Sequence, residues 1–109
     1  HYAHLAGKPF FSRVKASMMA CPVIVCCYEG VDAIQVVRSM TGATNGRVAD
    51  PGTIRGDYCV SSQENIIHTS DSPKTAIEEI ERFFKPEELF EYERAVIDLV
   101  YYPDEYKLT

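Results

Sequence analysis

Residues 65–84 read NIIHTSDSPKTAIEEIERFF, placing His68 at the end of a short apolar run and a glutamate-rich, helix-forming segment just after it. Ser70 and Asp71 follow the histidine closely. Ser72 followed by Pro73 is a helix start, a capping hydroxyl before a proline in the first turn. On a helical wheel Ala76, Ile80, Phe83 and Phe84 form the apolar stripe, while Glu78, Glu81 and Arg82 fall on or near the opposite side. Glu79 lies on the flank of that stripe and is the carboxylate able to turn back towards His68. A carboxylate that holds one imidazole nitrogen fixes the tautomer and leaves the other nitrogen free as a nucleophile or base. Taken alone, a histidine at a strand end is more often a hydrogen-bonded structural residue, and Glu79 a solvated helix residue. Both readings stay open on these residues.

A second group of side chains suits anions. Arg47 and Arg55 lie in a loop, with Arg38 near the end of the preceding helix, and their planar guanidinium groups match phosphate oxygens. The stretch PGTIRGD, residues 51–57, adds two glycines that let backbone approach a ligand closely. A turn with solvated charges competes with that reading. Neither G-x-x-x-x-G-K-[ST] nor G-x-G-x-x-G occurs, so any phosphate site here uses other geometry. The formal charge of −5 argues against nucleic-acid binding by a basic surface, which needs clustered Lys and Arg. It is compatible with a small anionic ligand held by a few arginines.

The elements that must position these groups follow from periodicity. Phe10, Val14 and Met18 recur at helical spacing in PFFSRVKASMM, residues 9–19. CPVIVCCYEG, residues 21–30, is a continuous apolar run suited to a strand covered on both faces. Ala33, Val36, Val37 and Met40 restore the helical period, and Gly42 stands where the helix should stop. From Gly42 to about Glu64 periodicity fails, which predicts a long loop. NIIH then reads as a short strand with Ile66 and His68 on one face, and the helix from Ser72 should run to about Phe84. KPEELFEY suggests a further short helix, and the aromatic, acidic tail has no clear period. With 109 residues, 46% hydrophobic, no repeat and no apolar run long enough for a bilayer, the composition fits one α+β or α/β domain. Cys21, Cys26, Cys27 and Cys59 lack C-x-x-C spacing and read as buried free thiols, which fits a reducing, cytoplasmic compartment.

GATN, DPGTIRGDY, NIIHTSDS and FFKPEELFEY, in this order, closely resemble the nucleoside diphosphate kinase family, whose signature surrounds a histidine in an N-[IV]-[IV]-H-x-S-D-S pattern. The resemblance runs from His1 through Tyr92. It implies reversible, ping-pong transfer of the terminal phosphoryl group from a nucleoside triphosphate to a diphosphate through a phosphohistidine. His68 matches the nucleophile, Glu79 the glutamate that holds its other nitrogen, and Ser70 the serine that assists the pair. Tyr2, Arg38, Thr44, Arg55 and Asn65 match positions that bind the nucleotide's phosphates, Asn65 also reaching the sugar. Phe10 matches the aromatic residue on which the base stacks. Asp71 matches an aspartate that approaches the nucleotide-bound Mg²⁺ through water, with no direct metal ligand implied.

The resemblance further implies a homo-oligomer, hexamer or tetramer, with no membrane and no specific nucleic acid as partner. Its fold is an α+β, ferredoxin-like βαββαβ sandwich. Departures occur at Thr69, Gly46, Gln63 and Glu64, where the family often has glycine, proline and a Gly-Arg pair, and none touches the nucleophile. The family begins with a strand bearing a Lys-Pro-Asp motif, then a helix and a second strand. None of these precedes His1, so residues 1–109 are expected to form one N-terminally incomplete domain. The absent strand would lie between residues 22–29 and 65–68. Alone, those two segments would expose unpaired backbone, so the chain is expected to fold poorly or associate. For want of the motif's lysine its activity should be severely reduced, leaving a nucleotide-binding or assembly module as the alternative.

Overall fold

The computed structural model describes residues 1–106. A single 3-10 turn over Ala3–Leu5 precedes α1, Phe11–Met18; α2 spans Ala33–Thr41 and α3 Ile54–Tyr58. The longest helix, α4, spans Pro73–Phe83 and is followed by a 3-10 turn over Pro86–Glu88 and by two four-residue helices, α5 at Ile97–Val100 and α6 at Pro103–Tyr106.

Among the described residues there is no β-strand, so the expected βαββαβ sandwich is not formed. Residues 22–29 contain no regular structure, and Val23, Ile24 and Tyr28 face solvent, Ile24 at 92% exposure. A strand exists only by the ladder of hydrogen bonds it makes with a neighbour, and this segment has none among the described residues. The NIIH segment departs from the expected strand for a different reason. Ile66 takes φ 60°, and the Ile67 amide donates to the Asn65 carbonyl at 2.8 Å, closing a three-residue γ-turn immediately before His68.

The helical expectations fare better. The ends of α2 agree with the period and with Gly42, whose φ of 83° suits a residue without a Cβ. A side chain at Gly42 would also collide with Thr53. Helix α4 starts where Ser72 accepts from the Thr75 amide at 3.1 Å, with Pro73 in the first turn. The long loop contains α3, which no periodicity announces. Thr53 caps it by accepting from the Gly56 amide at 3.0 Å, and Gly56 lies so close to the Asp50 carbonyl that no Cβ would fit. That glycine therefore serves close packing within the chain, where the sequence had suggested approach to a ligand.

Helices α2 and α3 pack against each other, and the best-covered side chains cluster there: Thr41, Arg55 and Cys59 are buried. The Cys59 thiol faces the Ser61 and Glu64 carbonyls at 3.1 and 3.3 Å, closing the turn after α3. The other cysteines correct the expectation of buried thiols, since Cys21, Cys26 and Cys27 are exposed and free.

Candidate active site

The start of α4 and the γ-turn bring His68 and Glu79 together. His68 Nε2 lies 2.9 Å from Glu79 Oε1, and Ser70 Oγ donates to Oε2 of the same carboxylate at 2.6 Å. An ionised carboxylate only accepts, so His68 carries its proton on Nε2 and keeps the lone pair on Nδ1. Both oxygens of Glu79 are thereby engaged, which fixes its orientation. The carboxylate is largely covered, its side chain 12% exposed, while the His68 ring is 40% exposed. The arrangement pairs a sheltered anion with an accessible imidazole.

A cavity of about 310 Å³ opens beside this pair, lined among others by Tyr2, His68, Asp71, Glu78 and Glu79. The Tyr2 ring stands nearly perpendicular to His68 at 6.2 Å. Burial, and then the Glu79 charge, push the Tyr2 phenol above its ordinary range, with Arg55 partly opposing them. At neutral pH it is a hydrogen-bond donor. Asp71 is exposed, and its carboxyl is held below the ordinary value of 3.8, chiefly by the Thr75 hydroxyl, with Ser72 and the Arg38 charge adding to it.

Arg55 behaves as a staple. Its Nε donates to the Asn65 carbonyl at 3.1 Å, Nη1 to Gly42 at 2.9 Å and Nη2 to Ile67 at 2.5 Å. The guanidinium thus grips both sides of the γ-turn and ties it to the end of α2. Burial lowers its pKa, an effect that Cys59 opposes and the nearby Arg38 charge augments. Asn65 is half-buried at the same turn, and Thr44 is exposed in the loop after α2. Phe10 caps the start of α1 and does not line the cavity beside His68.

Several lining residues escaped the sequence reading. His1 packs edge-on against His68 with ring centroids 4.7 Å apart, and its Nδ1 accepts from Arg82 at 2.9 Å. Glu78 and Arg82, assigned by the helical wheel to the far side of α4, also reach the cavity. Arg82 stands three residues after Glu79, and that i, i+3 spacing was a usable signal. Nothing local pointed to His1, which is 67 positions from His68 by their numbers.

A family profile described as nucleoside diphosphate kinase matches residues 1–89. The chain belongs to the nucleoside diphosphate kinase family. A nucleoside diphosphate kinase of Parabacteroides distasonis is 62% identical over 106 residues, covering 97% of this chain and 69% of the relative. Nucleoside diphosphate kinase B of Bos taurus is 45% identical over 101 residues, 93% of this chain and 66% of the relative. The chain thus spans about two thirds of the length of these kinases. Among solved structures, a halophilic nucleoside diphosphate kinase from Halobacterium salinarum in complex with CDP superposes with a TM-score of 0.88 at 40% identity, covering 93% of this chain and 68% of that one. The backbone follows the path of a nucleoside diphosphate kinase although no strand ladder forms among the described residues.

Proposed function

We propose that this chain carries the phosphohistidine chemistry of a nucleoside diphosphate kinase, moving the terminal phosphoryl group of a nucleoside triphosphate to a diphosphate in two steps. The observation that carries the reading is Glu79 accepting from both His68 and Ser70, which leaves His68 Nδ1 as an accessible lone pair. In the first step Nδ1 attacks the terminal phosphorus, the bond to the bridging oxygen breaks, and the nucleoside diphosphate leaves with that electron pair. The imidazole becomes cationic with its proton still on Nε2, and the Glu79 carboxylate stabilises it. A second diphosphate reverses the step.

Phosphoryl transfer depends on positioning and charge neutralisation. Arg38, the neutral Tyr2 phenol, Thr44 and Asn65 are the groups proposed to hold the phosphates, with Arg55 and Phe10 completing the nucleotide contacts. Mg²⁺ bound with the nucleotide would offset phosphate charge. The donor set fits an indirect role, since Asp71 offers one exposed, ionised carboxylate and a hard cation takes its remaining ligands from phosphate and water. The CDP complex of the Halobacterium relative supports a nucleotide ligand. Assembly into a hexamer or tetramer and residence in the cytoplasm belong to the same proposal. No helix among the described residues is long and apolar enough to cross a membrane.

Incubation with a nucleoside triphosphate labelled on its terminal phosphate should give an acid-labile, base-stable phosphoprotein that His68→Ala abolishes. Label persisting in that variant would sink the assignment. A second reading, a nucleotide-binding or assembly module with little turnover, is favoured by Arg55, three of whose nitrogens are already spent on carbonyls. Nucleotide binding without any phosphoprotein would select it.

A further inference from the structure

On its Nε2 side the His68–Glu79 pair meets a further donor, His1, that phosphoryl transfer does not require. His1 Nε2 lies 3.7 Å from Glu79 Oε1 and His68 Nε2 lies 2.9 Å from the same oxygen, and one ligand atom from each of the three residues falls within 4.8 Å of the other two. A four-coordinate zinc with bonds of about 2.0–2.1 Å sets its ligand atoms roughly 3.4 Å apart, so small rotations bring this triangle onto one face of a tetrahedron. Two imidazoles and one carboxylate with an open fourth position make a zinc donor set. Ser70 orients the carboxylate from behind through Oε2. The His1 and Glu79 side chains are 13% and 12% exposed, and the His68 ring, at 40%, leaves the ion a way in.

We propose that His1, His68 and Glu79 bind Zn²⁺, and that the bound ion switches His68 off. The switch rests on the phosphohistidine reading, although the site itself does not. Zinc takes the lone pair of an unprotonated Nε2, so the proton now on His68 Nε2 must move to Nδ1. No proton is lost and no bond is oxidised, yet the lone pair that would receive phosphorus is gone. His1 undergoes the same exchange. Arg82 is donor-only, so its 2.9 Å contact fixes the His1 proton on Nε2 today. Zinc binding transfers that proton to Nδ1, where Arg82 can no longer donate. Arg82 therefore opposes the ion both by charge and by holding the wrong tautomer. Mg²⁺ does not compete, because it favours oxygen ligands.

The test uses the 109-residue protein with its exposed thiols, Cys21, Cys26 and Cys27, blocked by iodoacetamide. Zn²⁺ affinity is measured without nucleotide, by competition with a chromogenic chelator, and phosphoprotein labelling is followed separately across a zinc titration. One ion per chain is expected, with labelling falling as the site fills and returning on chelation. His1→Gln should weaken zinc binding at least tenfold, and Arg82→Gln should tighten it several-fold. Equal affinity in wild type and His1→Gln, or an Arg82→Gln protein that binds no better, would overturn the site. His1-dependent zinc binding in a protein that never labels would retain the site and overturn the kinase reading. Labelling without His1-dependent zinc binding would do the reverse.

Discussion

Glu79 is the residue on which the candidate chemistry turns, because one carboxylate fixes the His68 tautomer and meets the Ser70 hydroxyl. Glu79→Gln keeps the shape but removes the charge that stabilises the imidazolium, so the rate of phosphoprotein formation should fall about 100-fold. Ser70→Ala removes one hydrogen bond, worth about 1 kcal/mol, and should slow the same step about fivefold. Rapid-quench labelling measures both. A Glu79→Gln protein that labels at the wild-type rate would leave the pair with a structural role alone. Asp71 gives a prediction in pH. Its folded carboxyl titrates below the ordinary 3.8, so its ionised form contributes stability that is fully present above that value and is lost as pH falls through the depressed one. Denaturant midpoints of wild type and Asp71→Asn should differ by a constant amount near neutrality, and the gap should close in acid below the ordinary carboxylate range. The pairing of His68 with Glu79 was legible because a cap and a helical period fixed where Glu79 would face. His1 was not, since only the folded chain brings it to His68.

At the scale of elements, the γ-turn at Ile66 and the Arg55 staple act as one device. A β-branched residue at φ 60° costs on the order of 1–3 kcal/mol, and three carbonyl contacts from α3 hold the turn in place. Ile66→Gly relieves that strain and adds a chain-entropy cost of about 0.5–1 kcal/mol, so stability should hold or rise by up to about 2 kcal/mol. Labelling should nevertheless slow, since His68 would lose its fixed approach. Arg55→Lys keeps a charge and loses the fork, leaving carbonyls unpaired, and should lower stability by about 2 kcal/mol in chemical denaturation. An unchanged midpoint would show that the staple does not hold the turn. Alternation in NIIH read as a strand because a γ-turn leaves no periodic signature. Helix α3 was equally hidden, five residues long and specified by the Thr53 cap and the tight fit of Gly56.

At the scale of the molecule, the radius of gyration is 16.4 Å, against about 13 Å for a compact domain of this length. The only buried apolar side chain among the described residues is Cys59, while Val23, Ile24, Tyr28, Phe90 and Leu99 all face solvent. So much exposed apolar surface should bind a hydrophobic dye such as ANS and drive association that grows with protein concentration. Dye fluorescence together with light scattering across a concentration series measures this. A monodisperse protein that leaves the dye dark would contradict it. Residues 22–29 carry much of this exposure, and the expected sheet does not form among the described residues.

The sequence by itself determined the family, the helices with strong period and caps, and the candidacy of His68 with Glu79, because each depends on residue types at short spacing. Only the tertiary structure decided that no ladder forms among the described residues, that Arg55 grips backbone carbonyls, and that His1 and Arg82 join the cavity. A hydrogen-bond ladder, a buried guanidinium and a cavity wall each require groups far apart in the chain to meet. Periodicity reports which face of an element is apolar, and the partner that will cover that face has to be found in space.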